Sequence, residues 1–171
     1  MNAIAIKCCQ AILLFCSTAG VDFRFSVLHR SRVASRAVLD TNVIYAGLRS
    51  RTGASFAVLQ ALWQRKWILV LSNTVLTEYE EILKRESGSL NLSSARIDQF
   101  LDALCALAER KNLSGLWIPG LIDPDDESFL RLAVEGGADC LVSHNLRHLA
   151  PARQLGVNLL APRDFLAIMR A

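Results

Sequence analysis

Residues 38–42 read Val38-Leu39-Asp40-Thr41-Asn42, a short apolar strand that ends in a carboxylate. From residue 37 onward the chain alternates such strands with stretches of helical periodicity, which predicts an α/β fold with a parallel sheet. Ligands of open α/β sheets bind beyond the carboxyl ends of the strands, so Asp40 is a candidate site residue. The same residues are equally well explained as a turn or a helix N-cap.

The rest of the chain fits the alternation. Apolar runs predict strands at 37–40, 67–71, 116–118, 140–143 and 157–160. Spacings of three and four predict helices at 54–65, from a cap at Ser72 or Asn73 to about 86, at 95–111 after a cap at Ser93 or Ser94, at 125–135 and at 162–169. Residues 44–53 are expected to form a loop or a short helix, and residues 87–92 a turn.

The amino-acid composition is that of a globular protein. The 171 residues are 52% hydrophobic and 20% charged, which suits one domain with a sizeable core. The net charge of +3 is uneven, because residues 1–36 carry +4 and the remainder −1, so charge neither supports nor excludes a nucleic-acid partner. The five cysteines have no Cys-x-x-Cys spacing and form no disulfide framework, which favours a reducing cytoplasm.

Residues 1–36 differ in character from residues 37–171. They contain a short apolar run with Lys7 before it, so a secretory signal peptide is one interpretation. We favour another, in which 1–36 is a disordered extension or a mis-assigned start, the protein opening near Val33. The apolar run is far too short to span a bilayer, and no membrane association is expected. The domain is therefore placed at 37–171.

Glu78 is the second candidate acid. It lies three residues after Val75 and four before Ile82, at the edge of the apolar stripe of its predicted helix. Glu80 and Glu81 lie elsewhere on that helix and have Lys84 and Arg85 as potential helical partners. A solvated surface charge is the ordinary alternative for Glu78.

The third group is Asp123-Pro124-Asp125-Asp126, which opens a predicted helix. Acids favour a helix N-terminus, but Asp126 is also followed by Phe129, Leu130 and Ala133 on one face. That spacing places it in the first turn beside the core. Carboxylates gathered at one sheet edge repel one another unless a hard divalent cation joins them, so the chain is interpreted as a metal-dependent enzyme.

These motifs together resemble the PIN-domain ribonucleases, and most closely the toxin components of toxin–antitoxin pairs. The similarity extends from about Ala37 to Ala171. It is carried by four short motifs in a set order: Val38-Leu39-Asp40-Thr41-Asn42-Val43, Leu76-Thr77-Glu78, Asp123-Pro124-Asp125-Asp126 with Phe129-Leu130 and Ala133, and Cys140-Leu141-Val142-Ser143 with Asn145. The resemblance implies a three-layer fold, a central parallel sheet flanked by helices.

The resemblance also implies a site and its partners. Asp40, Glu78 and Asp126 would bind Mg²⁺ or Mn²⁺, supported by Thr41, Asn42, Asp123 and Asp125, and Asn145 would be a further catalytic residue. Many members have an acid where this chain has Asn145, so a second metal is in doubt. An endoribonuclease toxin would act on RNA in the cytoplasm and bind a cognate antitoxin protein, and it could form a homodimer.

Other interpretations stay open. A PIN fold with weakened catalysis could be an RNA-binding module, and the same acids could serve a DNA nuclease or a phosphatase. His144 and His148 lack a third soft ligand nearby, so they are interpreted as RNA-contacting or structural residues rather than a transition-metal site. Candidate contacts to the nucleic-acid backbone, each of which could equally be a solvated charge, are Arg49, Arg51, Lys84, Arg85 and Arg147.

Overall fold

A computed structural model describes residues 35–113 and 124–170 of the chain. Its centre is a five-stranded, all-parallel sheet with the order β3-β2-β1-β4-β5. The strands are β1 (Arg36–Leu39), β2 (Ile68–Ser72), β3 (Glu109–Lys111), β4 (Cys140–Val142) and β5 (Asn158–Leu160). Because every strand runs the same way, their carboxyl ends meet at one edge. β1 is central, so the residue after it lies in the middle of that edge.

Helices flank the sheet. They are α1 (Thr41–Arg49), α2 (Ala54–Trp63), α3 (Asn73–Arg85), α4 (Ser87–Leu90), α5 (Ser94–Leu107), α6 (Pro124–Glu135) and α7 (Pro162–Arg170), with a 3-10 turn at Ala150–Leu155. This arrangement confirms the predicted three-layer α/β fold. Over residues 35–113 and 124–170, no helix combines the length and the apolar character that crossing a bilayer requires.

Apolar side chains from both helical layers cover the sheet. Ala37, Val38 and Leu39 of β1 are fully buried, as a strand with helices on both faces should be. Trp67 meets Phe165 edge to face with ring centroids 5.3 Å apart, which anchors the terminal helix to the start of β2. Continuous burial of this kind holds the end of β1 in a fixed position.

Side-chain caps begin two of the helices where the sequence predicted them. The hydroxyl of Ser72 accepts a hydrogen bond from the Val75 backbone N–H, and that of Ser93 from the Arg96 N–H. The predicted helices at 125–135 and 162–169 differ from α6 and α7 by one residue at a boundary.

Three predicted elements need correction. Of the loop or short helix predicted at 44–53, the helix is present, but it covers Thr41–Arg49 and begins three residues earlier, because Asp40 caps it. The helix predicted at 95–111 ends at Leu107, and Glu109–Lys111 is an edge strand paired with β2. The turn predicted at 87–92 begins as the short helix α4. The strand predicted at 116–118 lies outside the described residues.

Candidate active site

Asp40 lies at the carboxyl end of β1 and begins α1. Its Oδ1 accepts a hydrogen bond from the Asn42 backbone N–H at 3.0 Å, which is the N-cap of the helix. Its Oδ2 accepts two more, from the Asn42 carboxamide at 2.7 Å and from the Ser143 hydroxyl. The residue is 8% exposed, so the orientation of its carboxylate is fixed by three donors in a nearly dry environment.

Asn42 and Ser143 extend that arrangement from α1 to the end of β4. The Asn42 Nδ2 also lies 3.2 Å from the Ser143 Oγ, and its Oδ1 accepts from the His144 backbone N–H at 3.1 Å. The fully buried Ser143 hydroxyl accepts in turn from the Asn145 N–H at 2.8 Å. The neighbouring strands β1 and β4 are therefore joined beyond their last residues by one hydrogen-bonded network.

Burial decides the electrostatics of Asp40. Desolvation raises the pKa of Asp40 above its ordinary value of 3.8, and the hydrogen bonds from Ser143 and Asn42 offset only part of that rise. Neutral donors stabilise the charged form without cancelling its charge. Within the described residues Asp40 forms no ion pair with a lysine or arginine. The site therefore holds a costly anion that a bound cation would stabilise.

Glu78 approaches the same edge from α3. Its Oε1 accepts a hydrogen bond from the Thr41 hydroxyl at 2.9 Å, and its Oε2 accepts from the Ser128 hydroxyl at 3.0 Å. Thr41 directly follows Asp40, and Ser128 belongs to α6. One carboxylate thus connects three helices, and the two predicted acids are brought together by adjacent residues at the start of α1.

Tyr79 supports this arrangement from the hydrophobic core. Its hydroxyl donates to the carbonyl oxygen of Leu39, the residue before Asp40, and its ring stacks on Phe129 of α6. Burial, with the nearby charges of Asp40 and Glu78, raises the pKa of Tyr79 well above its ordinary value. The phenol consequently remains a donor, and it ties the backbone beside one acid to the backbone beside the other.

The remaining predicted residues are placed to different extents. Asp125 and Asp126 have helical backbone in the first turn of α6, the helix that reaches Glu78 through Ser128, and their side chains lie outside the description. Asp123 lies outside it entirely. Asn145 is exposed just after β4, close to the Asp40 network through its backbone. The roles predicted for all these residues stay predictions.

His144 and some of the candidate cations form hydrogen bonds or ion pairs with described residues, and other candidate cations form no ion pair with the described acids. The His144 Nε2 lies 2.7 Å from the buried hydroxyl of Ser55, which gives that ring a structural contact. Lys84 pairs with Glu80 at 2.6 Å and with Asp98 at 2.9 Å, as its helical spacing from Glu80 predicted. Arg85 lies 3.7 Å from Glu86. Arg49, Arg51 and Arg147 are exposed and form no ion pair with the described acids.

The donor set fits a hard divalent cation. Carboxylate oxygens are the ligands that Mg²⁺ and Mn²⁺ prefer, and Asp40 Oδ1 accepts one hydrogen bond, which leaves it an acceptor direction. The part of the chain that the structure describes contains no cluster of three or more His, Cys, Asp or Glu that could hold a metal. The third predicted acid, Asp126, belongs to the side chains that are not described, so the set at hand is two carboxylates and their donors.

Sequence reasoning missed three residues that shape the site. Ser143, Ser128 and Tyr79 each bond an acid or the backbone beside it. Ser143 carried a signal, because it is the first polar residue after the apolar run of β4 and stands beside the end of β1. Tyr79 and Ser128 carried none, since their partners lie 40 and 50 residues away in sequence.

Comparison with known proteins agrees with the geometry. A family model described as PIN domain matches residues 36–147, which include β1 to β4 and every residue of the site. No curated protein matches the chain. PIN domains are generally nucleases, which hydrolyse phosphodiester bonds. The protein belongs to the PIN-domain family.

Proposed function

We propose that the protein is a metal-dependent endoribonuclease that cleaves phosphodiester bonds of single-stranded RNA, and that it is the toxin of a toxin–antitoxin pair. The observation that carries the proposal is the pair Asp40 and Glu78. These two acids meet at the carboxyl edge of the sheet, where neutral hydroxyl and amide groups donate hydrogen bonds to them. Burial of the Asp40 carboxylate costs stability, and a bound cation would offset that cost.

Asp40, Glu78 and Asp126 would hold Mg²⁺ or Mn²⁺. When bound, the ion would lower the pKa of a water molecule and stabilise negative charge on the scissile phosphate. Asn42 and Ser143 orient Asp40, and Thr41 and Ser128 orient Glu78, so the hydroxyl and amide groups act as positioning residues. Hydrolysis adds one water across the phosphorus–oxygen bond and leaves one phosphate end and one hydroxyl end.

RNA as substrate and the toxin role rest on the resemblance to the PIN-domain toxins. A toxin requires a neutralising partner, so we propose a small antitoxin protein that covers the acidic site. Because its target is a cluster of carboxylates, that partner should present an arginine or a lysine there. A cytoplasmic location and a homodimer are parts of the same proposal.

The test is cleavage of a labelled single-stranded RNA by the full chain, with Mn²⁺ or Mg²⁺ and with chelator, beside the variant Asp126→Asn. Cleavage that needs the cation and is lost in the variant would support the nuclease and the predicted third acid. A single-stranded DNA of the same sequence and a phosphate monoester separate a DNA nuclease and a phosphatase. Retained cleavage with chelator would contradict the proposal.

A weakened RNA-binding module is the second candidate, and Asn145 favours it. This residue stands exposed after β4 where many family members have an acid, and it supplies no charge. The variant Asn145→Asp restores the charge with almost no change of shape. If the natural chain binds RNA without cleaving it and Asn145→Asp cleaves, the module interpretation holds; if both cleave, the carboxamide suffices.

A further inference from the structure

A cavity of about 530 Å³ lies at the far end of α1 from the acids. It is open to solvent on one side and is lined by the end of α1, one face of α2, the segment that joins α4 to α5 and the first turn of α5. Arg49, Arg51 and Arg96 line it together with Phe56, above a floor that includes Leu59 and Trp63. The cavity is therefore concave, partly apolar and strongly basic.

The three arginines carry unneutralised charge. None of them forms an ion pair with an acid of the described chain, and no aspartate or glutamate is among the described residues that line the cavity. Lys84 and Arg85 differ, since both lie beside acids. Three uncompensated guanidinium groups around one hollow repel one another, so the hollow favours an anionic ligand with several charges.

Phe56 adds a second kind of contact. It is half-buried in the first turns of α2, and it lines the cavity beside the arginines. Aromatic rings next to cationic side chains are the elements with which proteins bind single-stranded nucleic acid. The ring stacks on a base while the cations contact phosphates, and both contacts are independent of sequence.

Helix α1 connects the cavity with the acids. Asp40 caps its first residue and Arg49 is its last, so the axis between them is roughly 14 Å long at 1.5 Å per residue. Asn42, Tyr45 and Arg49 are spaced three and four residues apart and share one side of the helix. A strand bound at the acids could thus continue along this side to the cavity.

The acids themselves cannot supply affinity for a polyanion, because Asp40 and Glu78 are negative. We propose that the cavity lined by Arg49, Arg51, Arg96 and Phe56 binds a segment of single-stranded RNA that flanks the scissile bond, the arginines contacting phosphates and Phe56 stacking on a base. The inference rests on the proposed function for its ligand. RNA binding would then take place mainly at the Arg49 end of α1, and cleavage at the Asp40 end.

Single-stranded RNA is favoured over an acidic peptide because three separate cations surround the cavity. A nucleic-acid strand offers a phosphate for each, at every position of its length. A peptide would have to carry acids at three matching positions. The leucine and tryptophan floor suits either ligand, so charge decides the choice.

The test measures RNA affinity with chelator present, so that binding is separated from cleavage. The full chain, Arg49→Gln/Arg51→Gln and the control Arg65→Gln/Lys66→Gln are titrated into labelled single-stranded RNA of about twelve nucleotides, within the range of strand lengths that single-strand-binding domains occupy, over a series of salt concentrations. The control removes two exposed charges just after α2, neither of which lines the cavity. Circular dichroism and thermal unfolding verify that each variant is folded.

Removal of one phosphate contact lowers the slope of log K against log salt by about 0.7 for a single strand. We expect the cavity variant to bind more weakly with a slope lower by about 1.4, twice that amount, and the control to match the natural chain. Phe56→Leu should weaken binding with the slope unchanged, because it removes a stacking interaction and no charge. A cavity variant whose affinity and slope equal those of the control overturns the proposal.

The binding assay and the cleavage assay fail independently. RNA binding that depends on the arginines, without cleavage under any cation, would keep this inference and reject the nuclease. Cleavage with unchanged affinity in the cavity variant would keep the nuclease and reject this inference. In that case the ligand of the cavity would be an acidic segment of a partner protein, and binding of an acidic peptide in the same titration would show this.

Discussion

The amino and carboxyl edges of the sheet, where the strands begin and end, differ in how their charged side chains are arranged. At the amino edge, the Arg36 guanidinium contacts Glu109 at 3.0 Å and the carbonyl oxygen of Gly136 at 2.8 Å, and the Arg36 N–H donates to Asp139 at 2.7 Å. The ion pair with Glu109 joins β1 to β3, and the backbone hydrogen bond to the Asp139 carboxylate joins β1 to the residue before β4. At the carboxyl edge, Asp40 and Glu78 are both negative, and neutral hydroxyl and amide groups donate hydrogen bonds to them. The amino edge therefore pairs opposite charges, whereas the carboxyl edge gathers like charges.

This difference separates stability from function. Partly exposed ion pairs such as Arg36–Glu109 contribute little to stability, because solvent screens their charges. A buried carboxylate without a cation costs stability, yet it creates the potential that binds a divalent ion. Ligands of open α/β sheets bind at the carboxyl edge, so the unfavourable charge lies where a ligand can offset it. Matched substitutions of one carboxylate at each edge test this distinction.

The largest effect is expected for Asp40→Asn against Asp139→Asn. Both change a carboxylate beside a strand end to its amide. Loss of the metal-binding charge should lower RNA cleavage by at least about 100-fold for Asp40→Asn, while Asp139→Asn keeps nearly all activity. Initial cleavage rates at saturating Mn²⁺ measure both. Equal losses in the two variants would remove the functional distinction between the edges.

Added Mn²⁺ should stabilise the folded protein. Binding to the native state alone raises the free energy of unfolding by about 2.7 kcal/mol at a hundred times Kd. We expect a rise in the thermal midpoint for the natural chain and for Asp139→Asn, and almost none for Asp40→Asn. Thermal unfolding with and without the cation measures this. A rise of the same size in Asp40→Asn would place the ion elsewhere.

Ser143→Ala should weaken cation binding and cleavage by about tenfold, as loss of a residue that orients a metal ligand usually does. The change removes one donor from Asp40 Oδ2 and the acceptor of the Asn145 N–H. Mn²⁺ titration followed by thermal shift gives the affinity. Ser94→Ala, at an exposed position of α5, is the control. Unchanged Mn²⁺ affinity would make Ser143 a structural residue only.

Stability should depend on pH through Asp40. Its pKa is raised in the folded state, so between 3.8 and that raised value the native protein binds more protons than the unfolded chain. The contribution of Asp40 to stability therefore rises as pH falls through the raised pKa. In chelator, the stability of Asp40→Asn relative to the natural chain should decrease as pH falls from neutrality towards the ordinary value of 3.8. Urea unfolding at a series of pH values in that range tests this, and a variant that gains stability relative to the natural chain as pH falls contradicts it.

The smallest effect is expected at the amino edge. Arg36→Gln removes the contacts with Glu109 and with the Gly136 carbonyl, and should lower the free energy of unfolding only slightly, because ion pairs exposed to solvent contribute little. RNA cleavage should be unchanged, because the residue lies at the opposite edge from the acids. Urea unfolding and the cleavage assay give the two readings. A loss of cleavage activity larger than the loss of folded protein would show that the amino edge influences the site at the carboxyl edge.

Patterns local in sequence predicted most of the fold. Ser72 and Ser93 were recognised as possible caps because serine before an apolar stripe serves that purpose, and the structure confirms both. Strand β3 was missed because Glu109-Arg110-Lys111 has no apolar residue. It is a strand because β2 offers its backbone groups as partners at that position. Pairing of this kind is a property of the assembled sheet.

The site was predictable to the extent that its residues end apolar strands or interrupt apolar stripes. Asp40 and Glu78 meet that condition, and the structure brings them together through Thr41. The partners that orient them come from distant segments, such as Ser143 for Asp40 and Ser128 for Glu78. A polar residue after an apolar run, such as Ser143, is a weak signal, and a serine inside a helix, such as Ser128, has too many ordinary explanations to be selected from the sequence.

The bond from the Tyr79 hydroxyl to the Leu39 carbonyl has a consequence for how the protein evolves. It makes the spacing of two acids depend on a residue of the hydrophobic core, so the acids are preorganised and the proposed ion would bind with little loss of conformational entropy. The same dependence restricts which substitutions the core can accept. Phenylalanine at this position would preserve packing, leave a buried carbonyl without its donor and loosen the two acids, so a lineage could lose the proposed activity through a change that keeps its fold.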